Sequence, residues 1–388
     1  MYGTCQAPKL WGDMLDKFLI EECGFEQCPV EPRLYQKKYA DGKIIYLEVH
    51  TDDAAILADE GLESELDELI KFIKSKFDIT DLGKLRHYLG IRVQYDATST
   101  TLDQEAYLTT ILSELLENAQ YKRRTPWDPE LDTLFDDIVD PTPEDQAYMK
   151  TRNYWRLVGK LQYLVHTRPD ISYATSKLAR FATRPRRIHW EAAQRVLAYL
   201  AQTSDFRLCY NKSGNTPTLE SFSDADYAGD KSTRRSTTGV VIRVGGTSVI
   251  SVSKRQQVIA DSTTAAETIA LHHASREVMW SRHLMNWFGY DQSMPTTMYC
   301  DNQAATHIAQ EGAERSKLKH LDVKYMKIKE YTKKKQVVVK DLRTQDMVAD
   351  INTKGLPWGL FENHRASMGL TKGSIWDMDH QSVNREQK

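Results

Sequence analysis

The chain has 388 residues, of which 40% are hydrophobic and 27% are charged, and its formal net charge is −2. This composition is ordinary for a globular protein that buries a full core, and the length favours two or three domains. Because the net charge is close to zero, the whole molecule is not a general polyanion binder. A nucleic-acid-binding surface would have to be a local patch.

The sequence carries no sign of export or of membrane insertion. It has no run of about eighteen apolar residues, so we expect no transmembrane helix, and residues 1–6 lack the basic-then-apolar layout of a secretory signal. The five cysteines form no CxxC pair, which disfavours a disulfide framework or a zinc site and fits a reducing compartment. We therefore expect an intracellular protein, cytoplasmic or nuclear, with no membrane contact.

The first part of the chain predicts a helix followed by a β-hairpin. The helix runs from about residue 9 to residue 22, and the strands of the hairpin are 43–49 and 54–58. The turn between the strands contains Asp52 and Asp53. Paired acids most often form a solvated turn, and that interpretation stands beside a functional one.

Residues 61–215 predict a mostly helical region. Apolar residues at a spacing of three to four predict an amphipathic helix over 62–77, and residues 84–108 predict a turn into a β-hairpin. The acidic, Pro-bearing stretch 125–147 lacks apolar periodicity, so we predict a linker that packs poorly. Two further helices are predicted over 154–166 and 188–203.

From residue 216 the predicted secondary structure changes from mostly helices to a mixture of strands and helices. Three strand-like segments come first, and helices and strands then alternate, which predicts an α/β domain with a mixed sheet of five strands. The predicted strands are 219–224, 238–244, 247–253, 296–301 and 335–342, and the predicted helices are 263–287, 303–310, 319–332 and 345–354.

Four acids of this region are placed so that their carboxylates can meet. Asp224 and Asp301 end predicted strands, whereas Glu267 and Asp350 lie in predicted helices. Side chains at strand ends and on helices that cross the same sheet edge can share one cleft. Hard carboxylate oxygens suit two Mg²⁺ ions, which neutralise a phosphate and activate a water. Because the chain has 54 acidic residues, the spacing alone also fits chance.

These acids lie within short blocks that follow one another along the chain. The blocks are SDADYAGD (223–230), STTG (236–239), STTAAE (262–267), YCDNQAA (299–305), KHLDVKY (319–325) and ADINTK (349–354). In this order they resemble the ribonuclease H (RNase H) domain of Ty1/copia-type retrotransposon polyproteins, over almost all of 216–357. Ala265 and Thr268 stand where the family usually has Glu and Tyr, while Glu267 is retained.

Further blocks lie upstream. They are YGTCQAPKLW (2–11), HTDD (50–53), DLGKL with YLG (81–90) and TRPDISYA (167–174). They resemble the reverse transcriptase of the same family, in which HTDD replaces the usual Tyr-Val-Asp-Asp hairpin. In that family a third metal-binding Asp precedes the first of these blocks. Asp52 and Asp53 are therefore a residual polymerase pair, and we expect no polymerase activity from this chain alone.

The resemblance implies a two-metal endonuclease that cuts the RNA strand of RNA–DNA hybrids. Asp224, Glu267, Asp301 and Asp350 would be its catalytic metal ligands for two Mg²⁺ ions, with Mn²⁺ as the alternative. Expected partners are the hybrid and either upstream Pol segments or a second subunit. The alternative function is a non-catalytic or domesticated remnant that binds nucleic acid without cutting it.

Several polar residues are candidates for supporting roles. His320 would assist proton transfer or product release, although a surface histidine fits equally well. Lys319 and Lys324 belong to a basic segment that could contact phosphates without sequence preference. The other candidate nucleic-acid contacts are Lys254 and Arg255 at the end of a strand, and Asn302 and Gln303 as readers of the RNA 2′-hydroxyl groups.

We therefore predict an α/β chain in four parts. Residues 1–124 form an α+β remnant of a reverse-transcriptase palm and thumb-like region, and 125–215 form a linker and helical connection. Residues 216–357 form the RNase H-like domain. Residues 358–388 form a C-terminal helix and a disordered tail.

Overall fold

The computed structural model describes residues 7–135, 140–212, 216–311 and 322–373. Its contacts divide the chain into two units: residues 1–93 with 286–289, and residues 94–285 with 290–388. Both units combine helices with sheets, which confirms the predicted α/β class. The four-part division and its boundaries stay a prediction, and the predicted disordered tail beyond residue 373 lies outside the described residues.

The first unit packs two helices on a four-stranded antiparallel sheet of order β1-β2-β3-β4. Alternate residues of β3, Ile45, Leu47 and Val49, are buried in a core that also contains Phe18 and Leu69. This period of two is the pattern of a strand with one buried face. The elements are α1 (Ala7–Lys17), a π-helical turn (Phe18–Glu22), β1 (Glu26–Gln27), β2 (Leu34–Lys38), β3 (Ile44–His50), β4 (Asp53–Ala58) and α2 (Glu63–Lys76).

Three antiparallel strands join distant parts of the second unit. β7 (Ser99–Asp103) pairs with β8 (Phe206–Asn211), and β8 pairs with β14 (Leu370–Lys372). This pairing ties the C-terminal segment to the strand that follows the helical region. Residues 84–108, predicted as a turn into a β-hairpin, contain β5 (His87–Tyr88), β6 (Ile91–Tyr95) and β7, and β5 pairs with β6 in antiparallel orientation.

The helical region shares one core with the C-terminal part of the second unit. Leu157, Leu161 and Leu197 are fully buried there together with Val348 and Ile351. The helices are α3 (Glu105–Leu115), α4 (Pro129–Leu134), α5 (Pro143–Met149), α6 (Tyr154–Leu164), α7 (Ser172–Ala179) and α8 (Arg187–Gln202), and a 3-10 turn (Pro169–Ile171) precedes α7.

The prediction of a poorly packed linker over 125–147 was wrong for the described residues. Trp127 and Phe135 are each 2% exposed, and their ring centroids lie 4.8 Å apart in an edge-on contact. Asp128 caps α4, and Thr142 and Asp145 form a capping box at the start of α5. Two bulky aromatic residues and local caps fix this segment, although its sequence has no apolar periodicity.

The third sheet is mixed and five-stranded, as predicted, with the order β11-β10-β9-β12-β13. β9, β10 and β11 are antiparallel neighbours, whereas β12 runs parallel to both β9 and β13. The strands are β9 (Leu219–Asp226), β10 (Thr237–Val244), β11 (Thr247–Arg255), β12 (Thr296–Cys300) and β13 (Val337–Asp341). The remaining helices are α9 (Thr263–Trp287), α10 (Gln303–Glu311), α11 (Asp322–Lys333) and α12 (Trp358–Ser367).

The helix predicted over 345–354 is replaced by two 3-10 turns, Thr344–Asp346 and Val348–Asn352. Between them Met347 has an extended backbone, with φ −74° and ψ 94°, which interrupts any continuous helix. Among the described residues, no helix combines the length and the apolarity that a membrane span requires.

A buried ion pair organises the helical region. The guanidinium of Arg168 donates to both carboxylate oxygens of Asp170 at 3.0 and 2.8 Å, and it also donates to the backbone oxygen of Thr203 at 2.8 Å. The hydroxyl of Tyr199 donates to the same carboxylate. These contacts join the 3-10 turn before α7 to the end of α8, so the TRPDISYA block has a structural role.

Replacing Asp170 by Asn should destabilise the protein strongly, because it leaves the buried charge of Arg168 without a counter-ion. We expect the free energy of unfolding to fall by about 3–5 kcal/mol, measured by urea denaturation. The matched control is Asp140→Asn, which removes an exposed ion pair with Arg184 and should cost less than about 1 kcal/mol. Equal losses in the two variants would contradict the structural role of the pair.

His189 should make stability depend on pH. It is 3% exposed, stacks on Phe181 at 4.0 Å, and accepts the backbone N–H of Arg186. Burial, with a smaller contribution from Arg186, lowers the pKa of His189 to about 4, whereas an unfolded histidine titrates near about 6.5. The neutral ring thus contributes stability above pH 6.5 that is lost as the pH falls to about 4.

The loss should reach about 3 kcal/mol for His189. Urea unfolding between pH 7 and pH 4 should show a shallower pH slope for His189→Gln than for the wild type. His364→Gln is a parallel test, because burial also lowers the pKa of His364 to about 4. An unchanged slope in both variants would refute this origin of the pH dependence.

Candidate functional site

The pairing of β9 with β12 places two acids side by side. The two strands are parallel, and Phe222 on β9 lies opposite Tyr299 on β12, with the rings stacked at 4.9 Å. Asp224 lies two residues after Phe222, and Asp301 lies two residues after Tyr299. Because side chains two residues apart on a strand point to the same face, we infer that both acids lie on the face of the sheet that carries the stacked rings, at the same edge. Asp224 lies within β9, which extends beyond the predicted end, and Asp301 follows β12 directly.

Glu267 enters this edge from the first turns of α9. Its side chain is buried, and the ligand atoms of Glu267, Cys300 and Asp301 all lie within 4.8 Å of one another. The thiol of Cys300 lies 4.0 Å from the carboxylate oxygen Oε2 of Glu267. The helix therefore brings a third carboxylate against the strands that carry the first two.

Asp350 is held against the sheet by a close approach of the second 3-10 turn to β10. A Cβ atom at Gly239 would lie 2.5 Å from the methyl group of Thr353, so only glycine leaves room for the turn. The side-chain amide of Asn352 donates to the backbone oxygen of Val240 at 3.0 Å. These two contacts fix the turn, and with it Asp350, on the sheet.

Two residues that sequence reasoning missed contact the acids directly. The hydroxyl of Thr353 donates to Oδ2 of Asp224 at 2.5 Å, and the ammonium of Lys354 lies 3.0 Å from Oδ1 of Asp350. Both residues end the ADINTK block. A lysine four positions after an acid is a recognisable ion-pair spacing in a helical turn, and that signal could have identified Lys354.

Electrostatic interactions link all four acids. Burial, followed by Asp224 and Asp301, raises the pKa of Glu267 to about 10. Burial and then Asp224 also raise the pKa of Asp301 and of Asp350. Burial alone would lower the pKa of Lys354, but Asp224 and Asp350 raise it overall. The structure thus brings the four predicted acids together, at the cost of mutual repulsion.

The donor atoms fit a hard divalent cation. Three aspartates and one glutamate supply oxygen ligands, which Mg²⁺ and Mn²⁺ prefer. Burial, followed by Glu267, raises the pKa of the Cys300 thiol, so this sulfur stays protonated and is a poor ligand. A cation bound to the carboxylates would also relieve their repulsion.

The residues predicted to contact nucleic acid differ from one another in exposure and in their partners. Lys254 is exposed at the end of β11, but the guanidinium of Arg255 lies 2.7 Å from Asp230. The side-chain oxygen of Asn302 accepts the backbone N–H of Ala305 and so caps α10. The remaining residues are Gln303, which is exposed, Lys324, which is half-buried on α11, and Lys319 and His320, which lie outside the described residues.

Asp52 and Asp53 lie in the first unit, at the hairpin between β3 and β4. Asp53 pairs with His50 across the hairpin, and both acids are exposed. In the part of the chain that the structure describes, no third metal-ligating side chain groups with them.

Comparison with known proteins identifies the family. Residues 1–128 match the family model for reverse transcriptase (RNA-dependent DNA polymerase). The chain is 32% identical over 375 residues to the retrovirus-related Pol polyprotein from transposon TNT 1-94 of Nicotiana tabacum. It is also 32% identical over 284 residues to the putative transposon Ty5-1 protein of Saccharomyces cerevisiae, covering 72% of this chain and 87% of that protein. The chain belongs to the copia-type retrotransposon Pol proteins.

The family predicted from the sequence blocks is thereby confirmed. The tobacco match covers 95% of this copia-type Pol chain but 28% of the polyprotein, so the chain spans about a quarter of that relative. Among solved structures, LC11-RNase H1 in complex with an RNA/DNA hybrid aligns with a TM-score of 0.28 and 17% identity, covering 35% of this chain and 94% of that one.

Replacing Asp224 by Asn should change stability in opposite directions without and with Mg²⁺. In the metal-free protein we expect the free energy of unfolding to rise by about 1 kcal/mol, because the substitution removes a charge that repels Asp301 in a poorly solvated site. In the wild type, Mg²⁺ at about one hundred times its Kd should add about 2.7 kcal/mol, and the variant should lose this gain. Urea unfolding across a Mg²⁺ series measures both effects.

The matched control is Asp261→Asn, an exposed acid that precedes α9. It should leave both the metal-free stability and the Mg²⁺ response unchanged. A full Mg²⁺ response in Asp224→Asn would contradict the prediction that Asp224 binds the cation.

Proposed function

We propose that this copia-type Pol chain is a metal-dependent endonuclease that cuts the RNA strand of RNA–DNA hybrids. One observation carries the proposal: Asp224 and Asp301 lie side by side at the ends of parallel strands, ligand atoms of Glu267 and Asp301 lie within 4.8 Å of each other, and Asp350 interacts with Asp224. Residues 216–357 would form the nuclease domain. The copia-type family membership supports the proposal, because the acids lie in the blocks that resemble the RNase H domain of that family.

The four carboxylates would hold two divalent cations, Mg²⁺ or Mn²⁺. When bound, such ions supply charge neutralisation at the scissile phosphate and activation of the attacking water. The residues of the chain orient the ligands: the Thr353 hydroxyl holds Asp224, and the Lys354 ammonium pairs with Asp350. Glu267 and Cys300 are buried on the inner side of the site.

Hybrid binding would use exposed polar groups near the ends of the strands. Lys254 and Gln303 are exposed, and Lys324 is half-buried, so they could contact phosphates and 2′-hydroxyl groups. Arg255 and Asn302 also serve the fold, through the ion pair with Asp230 and the cap of α10. Their substitution would therefore disturb structure as well as binding.

We also propose partners for the reverse-transcriptase part of the chain. Because the chain spans about a quarter of the tobacco relative, upstream Pol segments or a second subunit would complete the reverse-transcriptase part. Asp52 and Asp53 would contribute to that site only with such a partner, because two carboxylates alone hold two metal ions poorly.

Cleavage of a labelled RNA–DNA hybrid tests the proposal. The wild type should cut the RNA strand only when Mg²⁺ or Mn²⁺ is present, and Asp301→Asn should lower the rate at least about 100-fold, since it removes a ligand that also aligns the reacting groups. Binding of the hybrid, measured by fluorescence anisotropy in EDTA, should persist in the variant. The control Asp261→Asn should cut at the wild-type rate.

The alternative function, a non-catalytic or domesticated remnant, predicts a different outcome. In that case the wild type and Asp301→Asn would both bind the hybrid, and neither would cut it at any metal concentration.

A further inference from the structure

The carboxylate of Asp132 in α4 makes four polar contacts near the candidate site. Its Oδ1 atom accepts from the indole N–H of Trp127 at 3.0 Å and from the hydroxyl of Tyr173, and it lies 3.5 Å from the ammonium of Lys177. Its Oδ2 atom accepts the backbone N–H of Gly355 at 3.0 Å. One carboxylate therefore joins the segment before α4, helix α7 and the chain that leaves the second 3-10 turn.

The backbone at Gly355 approaches α4 so closely that a side chain has no room. A Cβ atom at this position would lie 2.8 Å from the backbone nitrogen of Pro129 and 2.9 Å from its Cα. Such backbone distances cannot be relieved by rotating a flexible side chain. The contact between residues 129 and 355 thus fixes the position of Lys354, the preceding residue, which pairs with Asp350.

A series of positive and negative side chains lies between Asp132 and the four acids. Lys177 is 3% exposed and pairs with Asp132. Asp226 interacts electrostatically with Lys177, Asp132, Asp224 and Lys354, and Lys354 pairs with Asp350. A buried lysine requires compensating negative charge, so the loss of the Asp132 charge would disturb the electrostatic balance among Lys177, Asp226 and Lys354.

We propose that Asp132 is a positioning residue for the metal centre, so that the helical connection region completes the nuclease site. The inference rests on the proposed function. It assigns to α4, which lies outside the predicted nuclease domain, the task of holding Gly355 and Lys354 so that Asp350 faces Asp224. Asp132 acts through these residues and contacts neither metal nor substrate.

The test uses the full chain and the variant Asp132→Asn, which keeps the size of the side chain but loses its charge and one acceptor. Half-saturation by Mg²⁺ is measured twice: as the Mg²⁺-induced rise in Tm, and as the Mg²⁺ dependence of hybrid cleavage. We expect both to require about 10-fold more Mg²⁺, while the KM for the hybrid at saturating Mg²⁺ is unchanged. Asp140→Asn is the control, an exposed acid of the same region.

A second variant tests the same contact, and the metal-free Tm of each variant, taken from the same Mg²⁺ series, shows whether the fold is retained. Gly355→Ala acts on the same contact from the opposite side and should raise the Mg²⁺ requirement by a similar factor. If the two changes act through one contact, the double variant should be no worse than about the larger single effect. A double variant whose effects multiply would overturn the shared contact.

The outcomes separate this inference from the proposed function. If Asp132→Asn has the same Mg²⁺ half-saturation as Asp140→Asn, the inference is overturned while the nuclease proposal stands. If the wild type responds to Mg²⁺ in Tm but does not cleave, the nuclease proposal fails, and the Tm series alone decides the role of Asp132. If the wild type shows no response to Mg²⁺ in either measurement, both are overturned.

Discussion

The burial of several carboxylates at one edge of a sheet is the constraint on which this structure depends. Ionised acids repel one another in a poorly solvated site, and here burial and mutual repulsion raise the pKa values of Glu267, Asp301 and Asp350. The fold tolerates this repulsion because Lys354 and Thr353 supply a cation and a hydroxyl next to the acids. A group of carboxylates that costs stability in this way fits the proposed divalent cations better than a role in packing.

Four separate segments of the chain must meet for that arrangement to exist: β9, α9, β12 and the turn at 348–352. The parallel pairing of β9 with β12 sets the first two acids side by side, and α9 adds Glu267. Asp350, the fourth acid, reaches this edge only because Gly239 leaves room for the turn at 348–352 to lie against β10. Each contact is specific to the tertiary fold, so a shift in any one of them would separate the carboxylates.

The helical region is more than a spacer between the two ends of this copia-type Pol chain. The Arg168–Asp170 ion pair fixes the start of α7 to the end of α8, and the helices share their core with the turn that carries Asp350. Asp132 then extends this support to Gly355. Folding of the helices and geometry of the acids are therefore linked within one packed unit.

The sequence was sufficient to predict the family, the α/β class, the mixed five-stranded sheet and the positions of the four candidate acids, because ordered sequence blocks and strand periodicity are local signals. It could not reveal the partners of those acids, since Thr353 and Asp224, or Asp132 and Gly355, meet only after distant segments fold together. The same reason explains the two structural errors. Trp127 packs on the distant Tyr173 as well as on the nearby Phe135, and the turn at 348–352 lies in close contact with Gly239. Tertiary packing decided both, because neither leaves a periodic pattern in the sequence.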